Sequence, residues 1–164
     1  MNSEQLNIEF LNVKDAAYRY AVSLLHNPPE AEDLVQDLYE KLWRRRLLLR
    51  QSGFRSLVLT SARNLALDRL REKERRRMIT DIDEAVGQSV ELRDQSDEVV
   101  LIKRIISSLP EREREVIHLR DVEAMEFADI AEVVGSNVAA VRMAHSRARQ
   151  RVREEFTKIT NYGL

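Results

Sequence analysis

Residues 109–153 read LPEREREVIHLRDVEAMEFADIAEVVGSNVAAVRMAHSRARQRVR, and this pattern predicts a helix-turn-helix. The apolar residues of the IAEVV sequence that starts at Ile130 fit one face of a short helix. Gly135 favours the left-handed backbone that ends a helix. Asn137 is a suitable cap for a second helix that begins at Val138.

The second predicted helix is basic, since residues 138–153 contain no Asp or Glu. Its basic side chains are Arg142, His145, Arg147, Arg149, Arg151 and Arg153. Arginine binds phosphates and donates hydrogen bonds to guanine, so the composition favours contact with DNA. An ordinary arginine-rich surface helix would look the same, and this segment alone leaves both interpretations open.

The composition predicts an all-α protein, because 43 % of the 164 residues are hydrophobic, 5 % are aromatic, and only four are Gly and three Pro. A formal net charge of -1 requires any DNA contact to come from local segregation of charge. The absence of cysteine excludes disulfides and thiolate metal sites. Without a signal peptide or a bilayer-spanning apolar run, we expect a soluble, cytoplasmic protein with no membrane insertion.

Helical spacing of apolar residues predicts three helices in the first half of the chain, at about 6–26, 30–46 and 54–77. Asn27-Pro28-Pro29 separates the first two, because proline is excluded from a helix interior but accepted in the first turn. The third helix ends in the basic sequence DRLREKERRR. This charge run is typical of a solvated face, and a further role is left open.

The predicted fold is two small helical domains joined by an acidic linker, the C-terminal domain containing the helix-turn-helix. Residues 80–97 are acidic and lack apolar periodicity, which indicates a domain boundary. The predicted divisions are residues 1–79, the linker 80–97 and residues 98–164.

Two separated patterns then occur in one order. The first is AEDLVQDLYEKLWRR at residues 31–45, followed by FRSLVLTSARNLALDRLREKERR at residues 54–76. The second is SLPEREREVIHLRDVEAMEFADIAEVVG with AAVRMAHSRAR, within residues 108–149. Together they resemble bacterial RNA polymerase sigma factors of the extracytoplasmic-function (ECF) type, over nearly the whole chain except the linker. The resemblance implies a factor that binds core RNA polymerase and directs it to promoter DNA through −10 and −35 elements.

The resemblance assigns polymerase docking to the second helix, against the clamp of the largest subunit on the upstream-facing surface. Asp33, Gln36, Asp37 and Glu40 share one face of this helix at i, i+3, i+4 and i+7, which suits a basic partner helix. A solvated acidic face is the alternative.

The resemblance assigns promoter melting and −10 recognition to residues 54–77. Asn64 falls where related factors capture a flipped base, and an amide offers both a donor and an acceptor to a base edge. Leu57 stands where related factors commonly have Trp, and we expect it on the apolar face, as a repacking of the core. The residues expected to contact nearby phosphates are Arg63, Arg69, Arg71, Arg75 and Arg76.

The resemblance assigns −35 recognition to the basic second helix of the helix-turn-helix. Met143 and Ala144 stand where many relatives have Ser and Arg, which predicts fewer polar base contacts; packing against Phe127 and Ile130 is the alternative for both. The predicted −35 residues are Arg120, Arg142, His145, Arg147 and Arg149.

No catalytic, cofactor or metal site is predicted, because His26, His118 and His145 fall in separate helices and the carboxylates do not converge. We therefore expect a protein that is not an enzyme and is a monomer when free. The resemblance also implies an anti-sigma partner, although no residue identifies one. The alternatives are a stand-alone dimeric helix-turn-helix regulator and a helical adaptor that binds only protein.

Overall fold

The computed structural model describes residues 1–80 and 96–162, and within these ranges the chain forms helices and turns without a strand. The predicted all-α fold is confirmed. The chain divides into two compact units, Met1–Gln88 and Ser89–Leu164, called here the N-terminal and C-terminal units. Most of the predicted linker lies outside the described residues, so its bounds and those of the two domains stay a prediction.

Three long helices form the N-terminal unit: α1 (Ser3–Leu25), α2 (Pro28–Arg44) and α3 (Phe54–Thr80). A 3₁₀ turn, Arg46–Leu48, lies between α2 and α3. All three helices pack against one another. The core between them consists of apolar side chains that are at most 5 % exposed, among them Leu6, Phe10, Tyr20, Leu34, Leu38, Phe54, Val58 and Leu59.

Asparagine caps set the first residues of α1 and α2. Asn27 accepts a hydrogen bond from the Glu30 amide at 3.0 Å, and the prolines occupy the first turn of α2, as the sequence predicts. Helix α1 begins earlier than predicted because Asn2 and Gln5 form a reciprocal capping box. Its Asn2 Oδ1 accepts from the Gln5 amide at 2.8 Å.

The C-terminal unit contains α4 (Asp97–Ser107), α5 (Glu111–Ile117), α6 (Phe127–Val134) and α7 (Val138–Tyr162). Helix α7 packs against the other three helices. The chain continues from α5 into a π-helical turn, His118–Val122, which the sequence analysis did not predict. Such turns are often found at functional sites.

The helix-turn-helix geometry agrees with its sequence signals. Gly135 has φ +68°, in the left-handed region, and the amide that follows it, of Ser136, donates to the Ala131 carbonyl at 2.8 Å. Asn137 Oδ1 accepts from the Ala140 amide at 2.9 Å, in the first turn of α7. Gly135 and Asn137 therefore set the end of α6 and the start of α7.

We predict that Asn137→Ala lowers the free energy of unfolding of the C-terminal unit by about 1 kcal/mol, because it removes the cap of α7. Asn137→Ser should stay close to the parent, since a hydroxyl can accept the same bond. Urea unfolding followed through NMR signals of α6 and α7 measures both. Equal stability of the Ala variant and the parent would show that the cap does not set this boundary.

Candidate protein-docking and nucleic-acid interfaces

The predicted docking residues lie together on the exposed face of α2. Asp33, Gln36, Asp37 and Glu40 are all exposed. Arg69 of α3 reaches the edge of this face, with its Nη2 at 3.0 Å from Asp33 Oδ2 and 2.5 Å from Asp37 Oδ2. The two carboxylates nevertheless stay 65 % and 52 % exposed. They are oriented by Arg69 and remain available to a partner.

Arg69 was predicted to contact DNA; in the structure it lies against α2, and its contact with DNA stays a prediction. Its Nη1 donates to the Glu30 carbonyl at 3.2 Å, and its side chain is only 21 % exposed. Lys73 forms a further ion pair with Glu30 one turn later. Exposed ion pairs contribute at most about 1 kcal/mol, so their main effect here is orientation of the α2 side chains.

Gln36 and Glu40 border an apolar cleft between α1 and α2. Phe10, Leu11, Lys14, Val35 and Tyr39 line the same cleft, whose volume is about 540 Å³. Leu11 is 67 % exposed there. The acidic face therefore continues into an apolar surface on α1 that the sequence analysis did not include.

Asn64 and Leu57 lie two turns apart on the exposed face of α3. The prediction that Leu57 belongs to the apolar face is wrong, because it is 40 % exposed. Its neighbour Val58 is fully buried and takes the place in the core. Leu57 is therefore a surface side chain on the same face as the predicted base-capturing residue, two turns away.

The other predicted DNA-contacting arginines of α3 are Arg63 in its first half and Arg71, Arg75 and Arg76 in its second half. Arg63 is half-buried, whereas Arg71, Arg75 and Arg76 are exposed. The last three each pair with a carboxylate on their own helix. The separations are 3.1 Å for Arg71 to Asp68, 2.7 Å for Arg75 to Glu72 and 3.3 Å for Arg76 to Glu72.

The pairing with Arg75 and Arg76 lowers the pKa of the Glu72 carboxyl. The hydrogen bond from Arg75 is the largest cause that lowers its pKa from the ordinary 4.5. Desolvation opposes this shift, and the charges of Arg75 and Arg76 add to the lowering. A group whose pKa is lowered in the folded state stabilises that state above its unfolded pKa. The contribution is lost as the pH falls through the folded pKa, so the pairs are intact at neutral pH.

In the C-terminal unit, the ring of Phe127 contacts three predicted −35 residues. The guanidinium carbon of Arg120 lies 4.3 Å from the ring centroid and that of Arg142 lies 5.7 Å away. The His145 ring meets the Phe127 ring edge-on, at 5.4 Å between centroids. Arginine over an aromatic face is a favourable contact, so Phe127 acts as a common platform.

Asp121, in the π-helical turn, connects two of the predicted residues of α7. Its Oδ1 is 3.0 Å from His145 Nε2, and its Oδ2 is 3.8 Å from Arg149 Nε. Arg120 donates from Nη1 to the Met125 carbonyl at 2.8 Å and thereby ties the turn to the segment before α6. Four of the five predicted −35 residues thus form one cluster around Phe127 and Asp121.

Arg147 is the predicted −35 residue that lies apart from this cluster. It is exposed, and helical spacing puts it on the opposite side of the exposed α7 face from Arg142. The sequence analysis did not identify Asp121 or the platform role of Phe127. An acidic residue next to Arg120 in HLRD was a usable signal for Asp121, whereas the π-helical turn that directs it towards α7 was not visible in the sequence.

The two unusual positions of α7 have different environments. Ala144 is 8 % exposed, which agrees with the packing alternative. Met143 is 54 % exposed, so packing in the core does not account for it. The recognition face of α7 therefore carries an apolar side chain.

Residues 1–80 and 96–162 contain neither a metal-binding cluster nor a membrane-spanning helix. No three His, Asp or Glu side chains in these ranges are grouped so that they could hold a metal ion. No helix in them is long and apolar enough to cross a membrane.

We predict that Arg120→Ala lowers the free energy of unfolding of the C-terminal unit by about 2 kcal/mol, because it removes a charged hydrogen bond and the stacking on Phe127. Arg147→Ala removes the same side chain from an exposed position and should change stability by less than about 0.5 kcal/mol. Urea unfolding followed by NMR compares them. Equal effects would contradict a structural role for Arg120.

Comparison with protein families gives two matches in the order of the two units. The Sigma-70 region 2 model matches residues 10–76, within the N-terminal unit, and the Sigma-70, region 4 model matches residues 100–152, within the C-terminal unit.

Curated relatives agree with these matches. The ECF RNA polymerase sigma factor SigE of Mycolicibacterium smegmatis is 27 % identical over 155 residues, which is 88 % of this chain and 58 % of SigE. SigD of Mycobacterium tuberculosis, another ECF factor, is 34 % identical over 68 residues, 42 % of this chain and 32 % of SigD. The probable RNA polymerase sigma factor RfaY of Xanthomonas campestris is 30 % identical over 83 % of this chain and 36 % of RfaY. The chain thus spans less than two thirds of the length of these relatives.

Two solved structures are similar to the chain. The sigma factor RpoE of Bartonella quintana, crystallised with the anti-sigma factor NepR, has a TM-score of 0.76 and 27 % identity over 95 % of this chain and 98 % of RpoE. CnrH, in complex with the cytosolic domain of CnrY, has a TM-score of 0.70 and 21 % identity over 96 % of this chain and 90 % of CnrH, which shows a shared fold.

Proposed function

The chain belongs to the ECF-type RNA polymerase sigma factors, and on this basis we propose that it binds core RNA polymerase and directs transcription initiation at promoters with −10 and −35 elements. The observation that carries the proposal is the ordered pair of region 2 and region 4 matches in a chain of two helical units. The bond-forming chemistry belongs to the polymerase, so the factor needs no catalytic residues. The proposed activity takes place in the cytoplasm, where the polymerase and the chromosome are.

Docking on the clamp of the largest polymerase subunit is assigned to Asp33, Gln36, Asp37 and Glu40. Their exposure on one face of α2 supports this assignment. Arg69 acts as a positioning residue, because it holds the first and third of these side chains in place while leaving them more than half exposed. An acidic face of this kind complements a basic helix of the partner.

Promoter melting and −10 recognition are assigned to the exposed face of α3. Asn64 offers the amide for a flipped base, and exposed Leu57, two turns earlier, offers an apolar surface beside it. The side chains proposed to contact phosphates are Arg63, Arg71, Arg75 and Arg76. A phosphate would have to displace Asp68 or Glu72 from the last three, which weakens binding of DNA by the free factor.

Recognition of the −35 element is assigned to the first half of α7, placed in the major groove. Arg142 and Arg149, with His145 and Arg120 behind them, form one cationic edge of the helix, and Arg147 forms the other. The two edges are suited to the phosphates on either side of the groove. The cluster around Phe127 and Asp121 limits the motion of the first edge before DNA arrives.

Each unit offers few cations, and the whole chain has a net charge of -1. Binding of both units to one polymerase makes the second DNA contact intramolecular, so two weak sites act as one. By similarity to RpoE, which was crystallised with an anti-sigma factor, the proposal includes a protein regulator of that kind as a further partner.

Run-off transcription tests the proposal, with purified core polymerase of the source bacterium and fragments of its genome. We expect transcripts that depend on the added factor. Asp33→Lys/Asp37→Lys should reduce them roughly tenfold or more, because like charges would meet in the docking interface. Asp97→Lys/Glu98→Lys, which reverses the same number of charges at exposed positions of α4, is the matched control and should keep activity. Circular dichroism checks that all variants fold.

The absence of any factor-dependent transcript would sink the proposal. Binding of a palindromic site by the free chain as a dimer would instead favour the stand-alone regulator, which the family matches do not favour.

A further inference from the structure

The buried and exposed faces of α7 are cleanly separated in the first half of the helix. Val141, Ala144 and Ala148 are at most 8 % exposed and face the rest of the C-terminal unit. With 3.6 residues per turn, the opposite face is formed by Ala139, Met143, Ser146 and Gln150, all exposed. Met143 therefore lies on the surface that α7 turns away from its own unit, between Arg142 and Arg147.

Met143 is an unusual side chain for this position. It is 54 % exposed, and its neighbours at the edges of the same face are the cations Arg142 and Arg147. Ala139, one turn earlier, is also apolar and is small enough for α7 to approach another surface closely. Between the two charged edges, the face thus carries apolar Ala139 and Met143 beside uncharged Ser146 and Gln150.

The core of the C-terminal unit offers Met143 no alternative place. Ala144 takes the buried position next to it. In the packing alternative, Met143 would lie against Phe127. The Phe127 ring is already in contact with Arg120, Arg142 and His145. Met143 is exposed because its position in α7 faces away from the core of the C-terminal unit.

A single exposed apolar side chain usually needs no explanation. Met143 differs because it lies in the N-terminal part of α7, and the N-terminal residues of the second helix of a helix-turn-helix contact base edges. A thioether has no hydrogen to donate and accepts only weakly, so it cannot read the polar groups of a base pair. The apolar group that the major groove presents is the C5 methyl of thymine.

From this placement, and resting on the function proposed above, we infer that Met143 reads a thymine methyl group in the −35 element. Arg142 and Arg147 position α7 on either side through phosphates, and the flexible side chain of Met143 adapts to the methyl between them. The −35 preference of this factor therefore includes a thymine selected by apolar contact.

The experiment begins with the holoenzyme, formed from the full chain and core polymerase, which selects duplexes from a library randomised in the −35 element. Each thymine of the selected sequence is then replaced by uracil, which removes only the methyl. The affinity should fall about fourfold at one position, as expected for about 0.8 kcal/mol per buried methyl. Replacing the same base pair by 5-methylcytosine·guanine should bind more tightly than cytosine·guanine by a similar factor.

Variants of the chain assign the effect to a residue. Met143→Ala should bring the thymine-to-uracil ratio close to one, whereas Met143→Leu should keep it. Ser146→Ala, on the same exposed face, is the matched control and should also keep it. Because both side chains are exposed, these variants should fold like the parent.

Three results would overturn the inference. Equal affinity for thymine and uracil at every position would do so while leaving the proposed function intact. So would a methyl effect that persists in Met143→Ala. If the holoenzyme selects no sequence, both the inference and the proposed function fail.

Discussion

Internal ion pairs hold most of the cationic side chains on the proposed functional faces of both units. Each of these cations lies near a carboxylate of its own helix or of a neighbouring one. The pairs are Arg69 with Asp33 and Asp37, Arg71 with Asp68, Arg75 and Arg76 with Glu72, and His145 and Arg149 with Asp121. A carboxylate therefore lies beside most of these basic side chains, and a DNA phosphate would have to compete with it at those positions.

The energies of these contacts are compatible with the proposed binding of DNA. An exposed ion pair contributes at most about 1 kcal/mol, so a phosphate held nearby can replace the carboxylate, with counterion release in its favour. The exchange is weak when one unit meets DNA alone. Once a common partner holds both units at a fixed spacing, the effective concentration of the second site makes the exchange favourable. In the proposed function, specificity depends on uncharged side chains of the recognition faces, among them Asn64 and Met143.

The sequence predicted the parts of this structure that depend on local chemistry. Gly135, Asn137 and Pro28 act within one turn of their own positions, so the boundaries they set were visible in the chain. Contacts between helices were not visible in the sequence. Arg69 lies against side chains 32 and 36 residues earlier, and Leu57 is exposed because Val58 faces α1 and α2 in its place. A helical pattern shows which residues share a face but not which neighbour covers the edge of that face. The π-helical turn, which places Asp121 beneath α7, has no sequence signature either.

The most direct test of the account is the affinity of one promoter duplex for the free chain and for the holoenzyme at the same salt concentration. The account predicts weak binding by the free chain and a gain of roughly 10²-fold or more in the holoenzyme, as expected for two linked sites. Inserting half a helical turn of DNA between the −10 and −35 elements should abolish most of that gain. Binding by the free chain that equals the holoenzyme, or a gain that does not depend on the spacing, would contradict it.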